Sequence, residues 1–582
     1  MAGRLRRGVT TLGATAALVG ACAATAQALD PAVEAENFGK GNERSAIYNT
    51  PEYRQLLTEI STQNEAAALA MQAADPERNF QGHLCARGDD GCAGDARLYD
   101  WESKGYGVVS KVLFTARSGA TISGRVWATK AGPAKRPGIV ITNGSVQADE
   151  QLYWFAAQTL AKAGYVVLTW DPQGQGQSDE RGEAPDEAEG SPAQSDGRPF
   201  YDGTRDALDF FLSTPSSPFV PRPSCDTGTS HAAKQERRVK AGLNAAYNPF
   251  WNRVDPDRIG IAGHSFGAAG VSYIGQADPR VKAIVAWDNL GLTNPGGDGR
   301  IGAKPCPADP SQRTVVPITK PALGMSADYF IPPTPNTSDP EPLAKSKASL
   351  EYSKAGIDSG ELIIRGGTHY DFDWIPNAGF PATLRGADMI TWYTTAWFDK
   401  YVKGDATADR RLTTSRWRTD AEEAAVDPHQ DANMFSFYYP SRLDIGLAGG
   451  GRFTCEDMRP GCAGMSAEDG QPARYSYLDI VTSADRAGTT AGASGVNGCA
   501  RTPSRVVRIR YKKARIVRAD VYINGKRVAT TKGRRLRSVQ IPPAGGGRYV
   551  AKVVLRASDG RRFTSVRTYN GCKKTKPRPI RR

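Results

Sequence analysis

Between residues 137 and 367 the chain returns repeatedly to short, almost unbroken apolar runs. They are PGIVIT (137–142), YVVLTWD (165–171), RIGIA (258–262), VKAIVAWD (281–288), PALGMSA (321–327) and ELIIRGG (361–367). A strand that is apolar at nearly every position is one covered on both faces. Segments of helical spacing lie among these runs: EQLYWFAAQTLAKAG (150–164), YDGTRDALDFFLS (201–213) and the stretch after Ser265. A further helix, GADMITWYTTAWFDKYVKG (386–404), closes the series. Strands alternating with helices predict an α/β fold with a mostly parallel central sheet flanked by helices. Two earlier runs, GVVSKVLFTAR (107–117) and ATISGRVWATK (120–130), read as an antiparallel hairpin at one edge of it. Ligands of such a sheet bind outside the carboxyl ends of its strands, so chemistry is expected there.

At 582 residues, 40% of them hydrophobic and 10 of them Trp, the chain is expected to form more than one domain. Residues 1–28 read as an export signal. Arg4, Arg6 and Arg7 precede a weakly apolar run, and Ala26-Gln27-Ala28 fits a small-x-small cleavage site. Arg6-Arg7 would also suit the twin-arginine route. The expected product is secreted, with no transmembrane segment in the mature chain. Residues 29–103 read as a helical extension with a Cys85–Cys92 loop, and 104–430 as the α/β domain, interrupted by an insertion at 215–250. Residues 431–497 look like an irregular linker. Short β-runs over 498–572 suggest a small all-β sandwich, followed by a basic tail, 573–582. Eight cysteines remain beyond Cys22. Their number and spacing favour disulfides Cys85–Cys92, Cys225–Cys306, Cys455–Cys462 and Cys499–Cys572. No C-x-x-C occurs and there are five histidines, which weighs against zinc; no metal or cofactor is expected.

The run ending at Ala262 continues as Gly263-His264-Ser265-Phe266-Gly267, a serine between two glycines just past a strand. A serine there is pushed out of the sheet on a sharp strand-to-helix turn, and the glycines let neighbouring backbone approach. A serine hydroxyl needs a base to take its proton. Of the five histidines, His369 in IIRGGTHYDFD follows a strand and shares the carboxyl edge; His264 is expected to point away. The acid that orients the base is expected to be Asp328, one strand before it, with Asp288 at the end of AIVAWD as the alternative. The oxyanion would take the Phe266 N–H and a second N–H from the loop after GIVIT, Ser145 first and Val146 next.

With these residues in order, the segment 104–404 resembles secreted bacterial α/β-hydrolases of the serine esterase and lipase type, nearest the dienelactone-hydrolase-like branch. The matching pieces are VITNG, GYVVLTWDPQGQGQSD, GHSFG, ADYFIPP and GGTHYDF. The resemblance implies an α/β-hydrolase fold, an acyl-enzyme on Ser265, His369 as general base then acid, and Asp328 as its partner. Two departures stand out. Asn143-Gly144 replaces the His-Gly of many members, and serine replaces the cysteine of dienelactone hydrolases proper, which argues against their reaction.

The implied activity is hydrolysis of carboxylic esters, from small-molecule or lipid substrates. Acyl transfer or peptide cleavage on the same machinery is the alternative, as is a surface-binding protein with an inactive hydrolase fold. Trp154, Phe155, Trp287 and Tyr329 are candidates to line an acyl site, and the insertion could cap it. Residues 179–189 carry six acids against Arg181 and read as a solvated loop. Residues 501–582 hold 26 Lys and Arg against Asp520 and Asp559 alone, a net +24. Such a field attracts anionic cell-wall polymer or a membrane surface through residues 498–582. No specific nucleic-acid motif is present.

Overall fold

The structure is a computed structural model. It describes residues 32, 51–80, 93–145, 149–193, 197–293, 299–303, 306–309, 314–330, 341–374, 384–415, 435–436, 438–467, 505–510, 514–523, 526–541, 548–570 and 580–581. The export signal, the Cys85–Cys92 loop, Val146 and the Cys499–Cys572 pair lie outside them. The chain divides into two units, Met1–Ala487 and Gly488–Arg582.

The first unit is built on a ten-stranded sheet. Its strands are β1 (Gly107–Thr115), β2 (Thr121–Thr129), β3 (Arg136–Thr142), β4 (Val166–Trp170), β5 (Val254–His264), β6 (Val281–Trp287), β7 (Ala322–Ala327), β8 (Ser359–Ile364), β9 (Arg442–Gly446) and β10 (Arg452–Cys455). Their order is β1-β2-β4-β3-β5-β6-β7-β8-β9-β10. Strands β4 through β8 pair in parallel, and the two margins are antiparallel. The expected parallel core and edge hairpin are therefore present. The irregular linker expected from residue 431 is not: residues 442–455 add two strands to the main sheet, held by pairs such as Gly360 with Leu443.

The parallel strands alternate between two apolar layers. Ile139 and Ile141 of β3 face the layer holding Trp127, Trp154, Trp287 and Trp392, whereas Val140 faces the layer of Phe210, Phe211, Val271 and Ile274. Among the described residues the α-helices up to residue 398 are α1 (Pro51–Ala74), α2 (Trp154–Lys162), α3 (Arg198–Phe211), α4 (Ala232–Lys240), α5 (Phe266–Ala277), α6 (Lys347–Lys354) and α7 (Leu384–Phe398), of which α2 and α7 cover the first layer. Helices α3 (Arg198–Phe211) and α5 (Phe266–Ala277) cover the second. Small residues set how close α5 comes. A Cβ on Gly270 would lie 2.0 Å from the Phe200 carbonyl oxygen, and one on Gly275 2.3 Å from Ile284. Helix α5 therefore meets the backbone of α3 and the Ile284 side chain of β6 at close range, which anchors its N-terminus beneath the turn that follows β5.

Two other segments behave differently from their sequence reading. The acid-rich stretch 179–189 is not a free solvated loop. Asp179 accepts from Arg78 Nε at 2.6 Å and from the Thr121 amide, Asp186 bonds His231 Nε2 at 2.8 Å, and Glu189 accepts from the Cys225 amide. The 215–250 insertion carries a helix, Ala232–Lys240. It hydrogen-bonds to the β1–β2 margin, through Gln235 and Asn244 to Thr115 and Lys234 to Gly119, and Arg238 pairs with Asp75. These contacts fasten it to the margin of the sheet. Cys225–Cys306 and Cys455–Cys462 are disulfide-bonded. No helix among the described residues is long and apolar enough to cross a membrane.

The second unit is a small β structure. Strands Ile516–Ile523, Lys526–Lys532, Arg548–Ala557 and Arg562–Asn570 form an antiparallel sheet. Arg505–Arg510 and Ser538–Ile541 form a second pair, beside which Ile580–Arg581 of the basic tail runs parallel. Both sheets contribute to one apolar cluster that includes Val507, Val521, Val539 and Val553. The expected two-sheet β unit thus has a shared core.

Candidate active site

Ser265 stands where β5 gives way to α5, with φ 55° and ψ −120°. Among the described residues only two that are not glycine have positive φ: Ser265 and Asp288, at 42°. Such a backbone costs on the order of 1–3 kcal/mol and persists where packing overdetermines it. At Ser265 the packing is explicit. A Cβ on Gly263 would lie 2.4 Å from the Gly267 carbonyl oxygen, and one on Gly267 2.4 Å from the carbonyl oxygens of Thr142 and Asn143. The two glycines flanking the serine are therefore the points where β5, α5 and the loop after β3 touch.

His369 opens a single 3-10 turn, His369–Asp371, after β8. Thr368 caps that turn, accepting from the Tyr370 amide, while Asp371 accepts from the Thr368 amide. The imidazole Nδ1 lies 2.5 Å from Asp288 Oδ2. This identifies Asp288, at the end of β6, as the partner of the histidine, and corrects the expectation for Asp328. Asp328 is buried at the end of β7, but its carboxylate is engaged elsewhere. Oδ2 accepts from the Gly366 amide at 2.8 Å and Oδ1 from the Ser436 hydroxyl. Burial raises the Asp328 carboxyl above its usual range, against those hydrogen bonds. Asp328 thus braces the 365–368 loop that delivers His369. Ser436 belongs to the stretch read as linker, so nothing local to Asp328 signals that its carboxylate is occupied.

His264 does not point away. Its ring lies 4.5 Å from that of His369, centroid to centroid. Its Nδ1 is 2.8 Å from the Tyr153 hydroxyl, which also accepts from the Gly144 amide at 2.9 Å. Burial, with His369 alongside, holds the His264 imidazole well below the usual histidine range. The neutral imidazole is thereby favoured, and its Nδ1 shares a hydrogen bond with the Tyr153 hydroxyl.

Gly144 brings the loop after β3 against the serine. A Cβ there would come within 3.0 Å of His264 Nδ1 and 3.1 Å of Ser265 Cβ. Asp171 fixes the two ends of this loop, accepting from Asn143 Nδ2 at 3.0 Å and from the Glu150 amide at 2.7 Å. The amides of Ser145 and Phe266 donate to no group among the described residues. The Phe266 amide is the first of α5, where a helix leaves donors unpaired and carries partial positive charge. The Ser265 hydroxyl forms no hydrogen bond among the described residues, to His369 or any other.

The aromatic residues expected to line an acyl site are core instead. Trp154, Phe155, Trp287 and Tyr329 are all buried. Trp287 stacks on Tyr153 and donates to Thr394. Two exposed apolar side chains among the described residues lie beside the candidate residues: Phe266, which stacks on Phe200, and Phe330, 65% exposed and 4.8 Å from the His369 ring. No group of three or more His, Cys, Asp or Glu among the described residues is placed to hold a metal. No protein-family model matches the chain, and no curated protein matches it.

Proposed function

We propose that this protein is a secreted serine hydrolase of the α/β-hydrolase fold that cleaves carboxylic esters through an acyl-serine. One observation carries the reading. The only two non-glycine residues of positive φ among those described are a serine on a strand-to-helix turn and the carboxylate bonded to a histidine at the same sheet edge. Chain order is Ser265, Asp288, His369, as expected of this fold.

In this reading Ser265 Oγ attacks the ester carbonyl while His369 Nε2 takes its proton. Asp288 holds Nδ1–H and stabilises the imidazolium that forms. The Phe266 and Ser145 amides receive the oxyanion. Collapse expels the alcohol, protonated by His369. Water, deprotonated by the same nitrogen, then releases the acid and restores Ser265. His264 supports this cycle by being neutral, since a second cation 4.5 Å away would oppose the imidazolium. Export is supported by the two disulfides of the first unit. The test is hydrolysis of p-nitrophenyl esters from acetate to palmitate by the wild type and by Ser265→Ala. Turnover that vanishes in the variant supports the reading, and turnover that survives it excludes Ser265 as the nucleophile.

A further inference from the structure

The second unit contains a groove of about 710 Å³ whose walls carry Arg508, Arg515, Arg535 and Arg537. Its lining also includes Val506, Ile509, Ile516 and Leu536. Three stretches of chain converge to make it. Arg508 pairs with Ser538 across the antiparallel strands Arg505–Arg510 and Ser538–Ile541. The Ile509 amide donates to the Arg537 carbonyl at 2.8 Å, and the Leu536 amide to the Ile516 carbonyl at 2.7 Å. The backbone that presents the four arginines is therefore cross-linked by hydrogen bonds and rests on the apolar core through Ile516.

None of the four guanidinium groups forms an ion pair or side-chain hydrogen bond among the described residues. The reason lies in composition. From residue 501 onward the only acids are Asp520 and Asp559. Asp520 pairs with Arg518 at 2.9 Å and Asp559 with Arg561. No carboxylate of the segment is left for the groove. Four like charges held around one concavity repel one another, and a ligand with several negative charges relieves that repulsion.

We propose that this groove binds a linear, base-free phosphate polymer. Eighteen of the 26 cations from residue 501 onward are arginines. Guanidinium offers a planar fork that meets two phosphate oxygens at once, which ammonium does not. A concave wall with several cations suits a chain of phosphates better than one isolated anion. The aliphatic lining suits the links between them. Among the described residues no aromatic ring lines the groove, and these residues offer no stacking platform of the kind on which single-stranded nucleic acids rest. This site is independent of Ser265 and of the ester-hydrolase reading.

The test uses the full chain and dye-labelled inorganic polyphosphate, with binding followed by fluorescence anisotropy across a salt series. One variant carries Arg508→Gln, Arg515→Gln, Arg535→Gln and Arg537→Gln. A charge-matched control carries Arg527→Gln, Lys532→Gln, Lys552→Gln and Arg562→Gln, all on the four-stranded sheet. The groove variant is expected to bind roughly 100-fold more weakly with a shallower salt dependence, and the control within about fivefold of wild type. A third variant with lysine at the four groove positions keeps the charge and is expected to lose roughly tenfold. Equal weakening by the groove and control sets would overturn the proposal in favour of undirected charge. Single-stranded DNA binding as tightly as polyphosphate would overturn the ligand class. So would phosphatidylglycerol vesicles bound equally well by wild type and groove variant, with polyphosphate unbound by either.

Discussion

At the scale of single residues, the account turns on which carboxylate serves His369. Both Asp288 and Asp328 follow strands at the carboxyl edge, and sequence position alone favours the one nearer the histidine. The 2.5 Å contact to Asp288, and the engagement of Asp328 by Ser436 and Gly366, reverse that choice. Asp288→Asn is expected to lower kcat on a p-nitrophenyl ester by roughly 10³–10⁴-fold, the penalty for a misoriented base. Asp328→Asn should leave kcat within about tenfold and lower the unfolding midpoint, because it disturbs a buried brace rather than the base. Steady-state kinetics on the two variants decide the matter, and the reverse ranking would restore Asp328. The placement of Ser265 and His369 at the carboxyl edge was legible because each follows an apolar strand, Ser265 at once and His369 after a four-residue loop. The carboxylate that meets His369 was not, because the group that occupies Asp328 comes from 108 residues further on. The ring of His264 was misread for a similar reason: Tyr153, which holds it, is 111 residues away.

At the scale of elements, the parallel core was legible because its strands are apolar throughout. The strands β9 and β10 were not. Arg442–Gly446 and Arg452–Cys455 are short and mix charge with apolar residues, as strands at the margin of a sheet do. Strand β8 holds a further consequence of full burial. Glu361 points across Gly324 of β7, where a Cβ would lie 1.8 Å from its Oε2. Burial, with Asp288 nearby, pushes its carboxyl up to about 8. The folded chain therefore holds a proton there that the unfolded chain releases above its ordinary value near 4.5. Stability from this group is complete below that ordinary value, falls as pH rises, and levels off above about 8. Relative to wild type, Glu361→Gln should gain stability by up to ~1.4 kcal/mol per pH unit across that window. Urea denaturation between about pH 5 and about pH 8 measures the gain. A difference that does not change with pH would contradict the assignment.

At the scale of the whole molecule, charge and fold divide the chain at nearly the same place. The first unit ends at Ala487, and the net +24 lies in residues 501–582. Each unit has its own apolar core, so calorimetry of the full chain should show two unfolding transitions. Polyphosphate should raise the midpoint of the smaller transition alone, because a ligand stabilises the unit that binds it. A single cooperative transition, or a shift of both midpoints, would contradict this division.

The central claim is that Ser265 is an activated nucleophile, and covalent capture tests it most directly. The full chain is treated with a fluorophosphonate at neutral pH, digested and mapped by mass spectrometry. The account predicts one adduct, on the peptide carrying Ser265, lost in Ser265→Ala and strongly slowed in His369→Ala and Asp288→Asn. An adduct on another residue, or no adduct on folded wild type, would contradict it.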